Sequence, residues 1–362
     1  MNIALTVRVN HPIFGNGQQQ NIIFFADMIK SLGHEPFFIA EQKELNNIVA
    51  PQHFEYPILT QEELYFNDLS VDYFISIAWS PSLEYITKLK KRKGPLERVA
   101  LHYGNRMFCD FDMPIRKNNY LPIEHRGIDQ VWTSPHFENS IEYYKAYYNI
   151  EEVYVAPYLW SPKFMDLFEE KLNKEGRSAF YNKDKAKNIG IFEPNLTVYK
   201  CSTIPALICG GALKHKPEAF NKVIISSVKN YMKSSPFFNY YFKTIAGLND
   251  DILETESRLS TIHALADRCS YIVSHQMHVD LNYLYLEALY LGVPLIHNSV
   301  ALKDYGYYYP EHEVPKGIKQ LLKALAEHDD NLEEYLEKGA EAIQRYSPTN
   351  PQVLDTYQKL FK

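Results

Sequence analysis

A carboxylate, Glu287, lies in the middle of the largely apolar run DLNYLYLEALYLGVPLIHNS at residues 280–299. Leucines and tyrosines at helical spacing, followed by Gly292 and Pro294 and a short apolar run, predict a buried helix, a tight turn and a strand. A glutamate in such a helix either faces solvent or binds a ligand, because its oxygens accept hydrogen bonds from hydroxyl groups. Glu287 is therefore the first candidate binding residue.

Polar residues also precede this helix. His275 directly follows the predicted strand SYIVS, and Asp280, Asn282 and Tyr283 occupy the approach to the helix. The first N–H groups of a helix have no partner within it and suit an anion. These four residues are predicted to bind the same ligand as Glu287.

A second polar segment, IFEPNLTVYKCS at residues 191–202, follows another predicted strand. It supplies Glu193, Asn195 and Lys200. Asn195 could simply cap the next helix and Glu193 could lie on the surface. Lys200 is predicted to lie early in that helix, where a cation opposes the helix dipole, so an anionic ligand explains it better.

The loop HPIFGNGQQQN at residues 11–21 joins the first predicted strand to the first helix. Gly15, Asn16 and Gly17 would allow the backbone to approach a phosphate closely. The pattern lacks the third glycine of a dinucleotide-binding loop, so a simple reversal of the chain is an equal alternative.

A third group lies in LHYGNRMFCDFDM at residues 101–113, after a strand of the first half. A reaction at a hydroxyl group needs either a general base or a mechanism assisted by the leaving group, and His102 and Asp110 are the candidate bases here. Asp110 and Asp112 also form a DxD triplet, which three residues can match by chance.

Strands and helices alternate along the chain, which predicts an α/β fold with parallel strands in two Rossmann-like domains facing each other across a cleft. YFKTIAGL at 241–248 is predicted as one of the strands. The expected boundaries are 1–170 for the N-terminal domain, 171–187 for a charged linker, 188–335 for the C-terminal domain and 336–362 for terminal helices.

Composition excludes several classes of protein. The net charge of −6 gives no overall attraction to nucleic acid, and the four cysteines lack metal-ligand spacing. No apolar run approaches 18 residues, so no transmembrane segment is expected. We predict a cytoplasmic protein, with peripheral action at a membrane as an alternative.

The order Glu287, Ala288, Gly292, Pro294 and Ile296 resembles the donor-site signature of GT-B glycosyltransferases. The resemblance implies that Glu287 binds the ribose of a nucleotide sugar and that Lys200 contacts its diphosphate. The usual second glutamate is replaced by Val279, beside Asp280. Most of the chain also resembles an uncharacterised family of GT-B-like bacterial and phage proteins, which implies that the last helix packs on the N-terminal domain.

The resulting hypothesis is a metal-independent hexosyl- or pentosyltransferase. In this hypothesis the C-terminal domain binds a UDP- or GDP-linked sugar, the N-terminal domain binds the acceptor, and no other cofactor takes part. The DxD triplet lies in the wrong domain for a donor metal. The acceptor stays open among glycan, lipid-linked, protein and modified-base DNA hydroxyls, as does the oligomeric state. A sugar-nucleotide epimerase and a non-catalytic nucleotide-sugar-binding protein are the alternatives.

Overall fold

The computed structural model describes residues 1–11, 13, 17–41, 53–103 and 127–362. The chain divides into two compact units. Unit 1 comprises residues 1–161 and 346–362, and unit 2 comprises residues 162–345.

Unit 1 is built on a parallel sheet whose seven described strands lie in the order β3-β2-β1-β4-β5-β6-β7. All neighbouring strands run parallel. Their bounds are β1 Asn2–Thr6, β2 Glu35–Ala40, β3 Ile58–Thr60, β4 Val71–Ser76, β5 Leu96–Tyr103, β6 Gln130–Thr133 and β7 Val153–Val155.

Helices cover the faces of this sheet, and polar residues begin several of them. Thr60 forms a reciprocal capping box with Glu63, and Ser82 and Asn350 also accept hydrogen bonds from backbone N–H groups of the helices they begin. The α-helices described in unit 1 are Gly17–Ser31, Gln61–Phe66, Leu83–Lys91, Ile141–Tyr148 and Pro351–Leu360, with a 3-10 helix at Pro135–Ser140.

The last helix, Pro351–Leu360, packs into unit 1 through aromatic side chains. Tyr357 and Phe361 contact the ring of Trp132 at centroid distances of 6.3 and 5.2 Å. The Tyr357 hydroxyl donates a hydrogen bond to the carbonyl of Pro157 at 2.7 Å. The final segment of the chain therefore completes the core of the first unit.

Unit 2 repeats the design with a parallel sheet in the order β10-β9-β8-β11-β12-β13. Its strands are β8 Asn188–Ile191, β9 Lys222–Ile225, β10 Leu253–Thr255, β11 Tyr271–Val273, β12 Leu295–His297 and β13 Tyr307–Tyr308. Its α-helices are Lys163–Lys174, Thr203–His215, Lys229–Ser234, Pro236–Tyr240, Thr261–Asp267, Tyr283–Tyr290, Val314–Glu327 and Leu332–Tyr346, the last of which ends at the unit boundary.

The prediction of an α/β fold with two parallel sheets is confirmed, but one local prediction was wrong. YFKTIAGL is a π-helical turn, Tyr241–Ile245, rather than a strand. Phe242 and Ala246 are buried four residues apart, which is helical spacing. The segment Lys163–Lys174 is a helix whose buried Phe164, Met165 and Leu172 are interspersed with charged residues, and its last four residues fall within the predicted linker, 171–187.

In the part of the chain that the structure describes, no helix is long and apolar enough to cross a membrane. Cys201, Cys209 and Cys269 are free thiols, and the last two are buried. Burial raises the pKa of the Cys209 and Cys269 thiols.

Candidate functional site

The candidate site lies at the carboxyl ends of β8 and β11 in unit 2. These neighbouring strands are the point where the strand order reverses, since β9 and β10 lie to one side and β12 and β13 to the other. Loops after such a pair diverge, and the crevice between them is where open α/β sheets bind ligands. Glu193 follows β8, and residues 274–276 follow β11.

Glu193 is the centre of a buried polar cluster. Its Oε1 accepts hydrogen bonds from the Ser274 hydroxyl and from the His275 backbone N–H at 3.2 Å. Its Oε2 accepts from Nε2 of Gln276 at 3.4 Å. Burial raises the pKa of Glu193 to about 7, while these donors and the charge of Lys200 act in the opposite direction. Glu193 is buried, so the alternative that it lies on the surface does not hold.

The hydroxyl protons of this cluster have a defined direction. When Glu193 is ionised, Ser274 gives its single proton to Glu193, so the Ser274 oxygen accepts from the Tyr285 hydroxyl, which is 2.9 Å away. Tyr285 lies on the helix Tyr283–Tyr290 and is fully buried. The helix and the two strand ends are thus joined by a chain that runs from Tyr285 through Ser274 to Glu193.

A side-chain amide extends the cluster to β12. Asn298 accepts a hydrogen bond from the Gln276 N–H at 2.9 Å and donates one to the Gln276 carbonyl at 2.8 Å. The loop after β8 joins from the other side, since Lys200 forms an isolated backbone bridge with Gln276. Three loops at the carboxyl edge of the sheet therefore hold one another in place.

Asn195 and Lys200 lie in the loop before the helix Thr203–His215. The Asn195 side chain accepts from the Ser202 N–H at 2.8 Å and donates to the Ser202 hydroxyl at 2.9 Å, so it fixes the residue that begins the helix. The expectation that Lys200 lies early in the helix was wrong, because Lys200 precedes its first residue by three positions. Its backbone pairs with a loop instead of extending the helix.

The other candidate residues lie on the helix Tyr283–Tyr290 or directly before it. Asn282 begins it, and its side chain accepts from the Leu284 N–H at 3.4 Å. Tyr283 and Glu287 are buried, with Glu287 only 8 % exposed. Asp280 is half-buried and its backbone carbonyl accepts from the Ser299 hydroxyl at 2.5 Å. Burial raises the pKa of the Asp280 carboxyl, against the opposing effect of His278.

Residues in left-handed backbone conformation mark the same edge of the sheet. Four non-glycine residues with positive φ follow four different strands of unit 2: Asn195 (φ 54°), Ser227 (φ 64°), His278 (φ 55°) and Glu311 (φ 45°). Outside this edge, the described residues include one other, Asn149, which ends a helix of unit 1. Such conformations cost free energy and collect at functional sites. The cluster therefore supports the placement of the site independently of side-chain chemistry.

We predict that Ser227→Gly will stabilise the protein by about 1 kcal/mol, because glycine adopts positive φ without a steric cost. Ser227→Ala is the matched control, since alanine also removes the hydroxyl but retains the Cβ that disfavours this backbone. Urea denaturation of both variants measures the difference. Equal stabilities for the glycine and alanine variants would contradict the assignment of strain at this residue.

The candidates of unit 1 are placed differently. Gly17 is the exposed first residue of its helix. His102 is 8 % exposed, with its ring 4.8 Å from Phe25 and Nε2 3.2 Å from the Tyr357 hydroxyl. Burial lowers the pKa of His102 to about 4. These surroundings favour a packing role over that of a general base. Gly15, Asn16 and Asp110 lie outside the described residues.

Several members of the cluster were not predicted from the sequence, namely Ser274, Gln276, Tyr285, Asn298 and Tyr309, whose hydroxyl donates a hydrogen bond to the Ser274 carbonyl at 3.1 Å. Ser274 and Gln276 had a usable signal, because they directly follow a buried strand that also precedes His275. Tyr285 and Tyr309 had no such signal, since a tyrosine within an apolar helix or just after a strand is equally typical of the core. Among the described residues, no group of three or more His, Cys, Asp or Glu side chains is placed to hold a metal ion.

The chain matches one family model and is similar to several solved structures. A family model described as "Protein of unknown function (DUF2827)" matches residues 2–361. No curated protein matches the chain. Among solved structures, an alpha-glucosyltransferase in complex with UDP superposes with a TM-score of 0.62 at 10% identity, covering 100% of this chain and 99% of that chain.

Two other solved structures are similar over nearly the whole chain. Anabaena Alr3699/HepE in complex with UDP-glucose has a TM-score of 0.56 and 13% identity, covering 99% of this chain and 100% of that chain. The pneumococcal O-GlcNAc transferase GtfA in complex with UDP and GlcNAc has a TM-score of 0.56 and 9% identity, covering 100% and 98%. At these identities the likeness shows the fold. The chain belongs to the DUF2827 family of proteins of unknown function, and its fold is that of the GT-B glycosyltransferases.

Proposed function

We propose that the protein is a glycosyltransferase that moves a sugar from a nucleotide-sugar donor to a hydroxyl group of an acceptor. The observation that carries this proposal is the buried cluster around Glu193 at the point where the strand order of unit 2 reverses. Buried hydrogen-bonded polar groups in that position are typical of a ligand site built into the sheet. The GT-B fold makes a nucleotide sugar the ligand to test first.

The donor would be bound by unit 2. Glu287 is proposed to accept hydrogen bonds from the ribose hydroxyls, as the signature at residues 287–296 implies. Lys200 and the helix that begins after Asn282 would stabilise the negative charge on the leaving diphosphate, which removes the need for a metal ion. His275 and Asp280 would contact the remainder of the donor.

UDP is the first nucleotide to test, because the three similar structures described above are complexes with UDP or UDP-glucose. We propose a hexose or a pentose as the transferred sugar. Glycan, lipid-linked, protein and modified-base DNA hydroxyls are the acceptors to compare. We propose a cytoplasmic location, with peripheral membrane association for a lipid-linked acceptor.

Thermal-shift measurements with UDP-glucose, UDP-xylose and GDP-mannose test donor binding. Binding should raise the unfolding temperature because a ligand that binds only the folded state stabilises it. Slow release of UDP or GDP from the donor in the presence of EDTA, without an acceptor, would distinguish a metal-independent transferase from a binding protein. Absence of any shift with all three donors would refute the proposal.

A further inference from the structure

His275 contacts Tyr309, which follows β13, and this contact determines where the imidazole proton lies. Nδ1 of His275 is 3.0 Å from the Tyr309 hydroxyl oxygen, and that hydroxyl donates to the Ser274 carbonyl at 3.1 Å. A phenol has one proton, and a carbonyl can only accept. Because the Tyr309 proton points to Ser274, the Tyr309 oxygen must accept from His275, so Nδ1 carries the proton.

Nε2 of His275 is consequently an unprotonated acceptor. Among the residues that the structure describes, it has no hydrogen-bond partner, although the side chain is only 3 % exposed. Burial, with the nearby His312 ring acting in the same direction, lowers the pKa of His275 to about 4, so the ring is neutral at pH 7. A buried acceptor without a donor costs free energy, and a ligand that supplies the donor recovers it.

We propose that Nε2 of His275 accepts a hydrogen bond from a hydroxyl group of the transferred sugar, and that Tyr309 is the positioning residue that sets the required tautomer. This inference rests on the proposed function. A diphosphate offers no hydrogen-bond donor at neutral pH, and the ribose hydroxyls are assigned to Glu287. Two kinds of donor group then remain for a neutral acceptor beside Glu193, the sugar hydroxyls and the N–H groups of the base. We assign the sugar hydroxyls, and the nucleoside diphosphate, which carries the base without the sugar, is the control for the alternative.

Nuclear magnetic resonance of protein labelled with ¹⁵N-histidine tests the tautomer directly. The His275 signals are assigned by their loss in His275→Gln. We expect the free protein to show a protonated Nδ1 and an unprotonated Nε2. Addition of UDP-glucose, or of GDP-mannose if only that donor binds, should shift Nε2 towards the protonated range, whereas the nucleoside diphosphate alone should not. A proton on Nε2 in the free protein would overturn the proposal.

Calorimetry provides a second measurement on variants. Tyr309→Phe should weaken binding of the nucleotide sugar about fivefold, the effect of one neutral hydrogen bond, and leave the affinity for the nucleoside diphosphate unchanged. Tyr305→Phe is the control, since it removes another tyrosine hydroxyl from the same unit. Equal losses for nucleotide sugar and nucleoside diphosphate would overturn the assignment to the sugar.

Different results would refute the proposed function and the inference about His275. If calorimetry detects no binding of UDP-glucose, UDP-xylose or GDP-mannose by the unmodified protein, the proposed function is refuted and this inference with it. If one of these donors binds and the Nε2 signal of His275 does not move, the proposed function stands and the inference is refuted.

Discussion

Glu287→Ala should weaken nucleotide-sugar binding about 100-fold, because a carboxylate that accepts two hydrogen bonds from a ribose diol contributes roughly 3 kcal/mol. Glu287→Gln, which keeps one acceptor oxygen and loses the charge, should weaken binding about tenfold. Isothermal titration with the donor identified by thermal shift measures both variants. The order of the effects, alanine larger than glutamine, distinguishes loss of an acceptor from loss of shape.

The control for this experiment is Glu337→Ala, which removes an exposed glutamate from a helix of the same unit. Its affinity should equal that of the unmodified protein. Urea denaturation of each variant must accompany the titrations, since Glu287 is buried and its removal also affects packing. Unchanged affinity in a folded Glu287→Ala protein would show that the ribose lies elsewhere.

Glu193 should give the protein a strong and specific pH dependence of stability. Its pKa rises from an ordinary value of 4.5 to about 7 on folding, because burial penalises the carboxylate. The folded state therefore binds the proton more tightly than the unfolded state. The stabilising effect is complete below pH 4.5 and is lost as the pH rises through about 7, and a shift of this size corresponds to about 3 kcal/mol.

The measurement compares the unmodified protein with Glu193→Gln by urea denaturation between about pH 4.5 and 8. Glutamine does not titrate, so the unmodified protein should lose about 3 kcal/mol relative to the variant over this window. A comparison is needed because His102, His275, His297 and His328 act with the opposite sign. Burial lowers the pKa of each to about 4, so they destabilise the fold as the pH falls below 6.5.

Glu193→Gln leaves those histidines in place, so their contribution cancels in the difference. Glu170→Gln is the matched control, since Glu170 is exposed and pairs with Lys174 on the surface. A parallel pH dependence for the unmodified protein and Glu193→Gln would show that the carboxyl group is not held in the environment described here.

The alternation of strands and helices could be predicted from the sequence because both faces of a parallel sheet are buried, which gives short, continuous apolar runs. Strand β10, Leu253–Thr255, is an exception. It is short, lies at the edge of its sheet and carries Glu254, so it lacks that signature. The π-helical turn was missed because aromatic and β-branched residues favour a strand locally, whereas its tertiary contacts favour a helix.

The sequence allowed the position of the candidate site to be predicted, but it was less informative about the contacts and roles of the residues there. Glu193 and His275 could be identified because they follow buried strands, and that placement follows from topology. Their partners come from distant parts of the chain, as with Tyr309, and local pattern does not encode such contacts. His102 is the opposite case. It also lies at a strand end, but its contact with Tyr357, 255 positions away, gives it a packing role that the local sequence does not reveal.

The return of the chain to unit 1 has a consequence for synthesis on the ribosome. Unit 2 ends at residue 345, whereas unit 1 needs residues 346–362 to cover Trp132. Chains emerge from the N-terminus, and domains generally fold as units. The second unit can therefore complete its fold first, while the first unit keeps an aromatic surface open until the last helix emerges. Premature termination within these 17 residues would leave an intact second unit attached to an unfinished first unit.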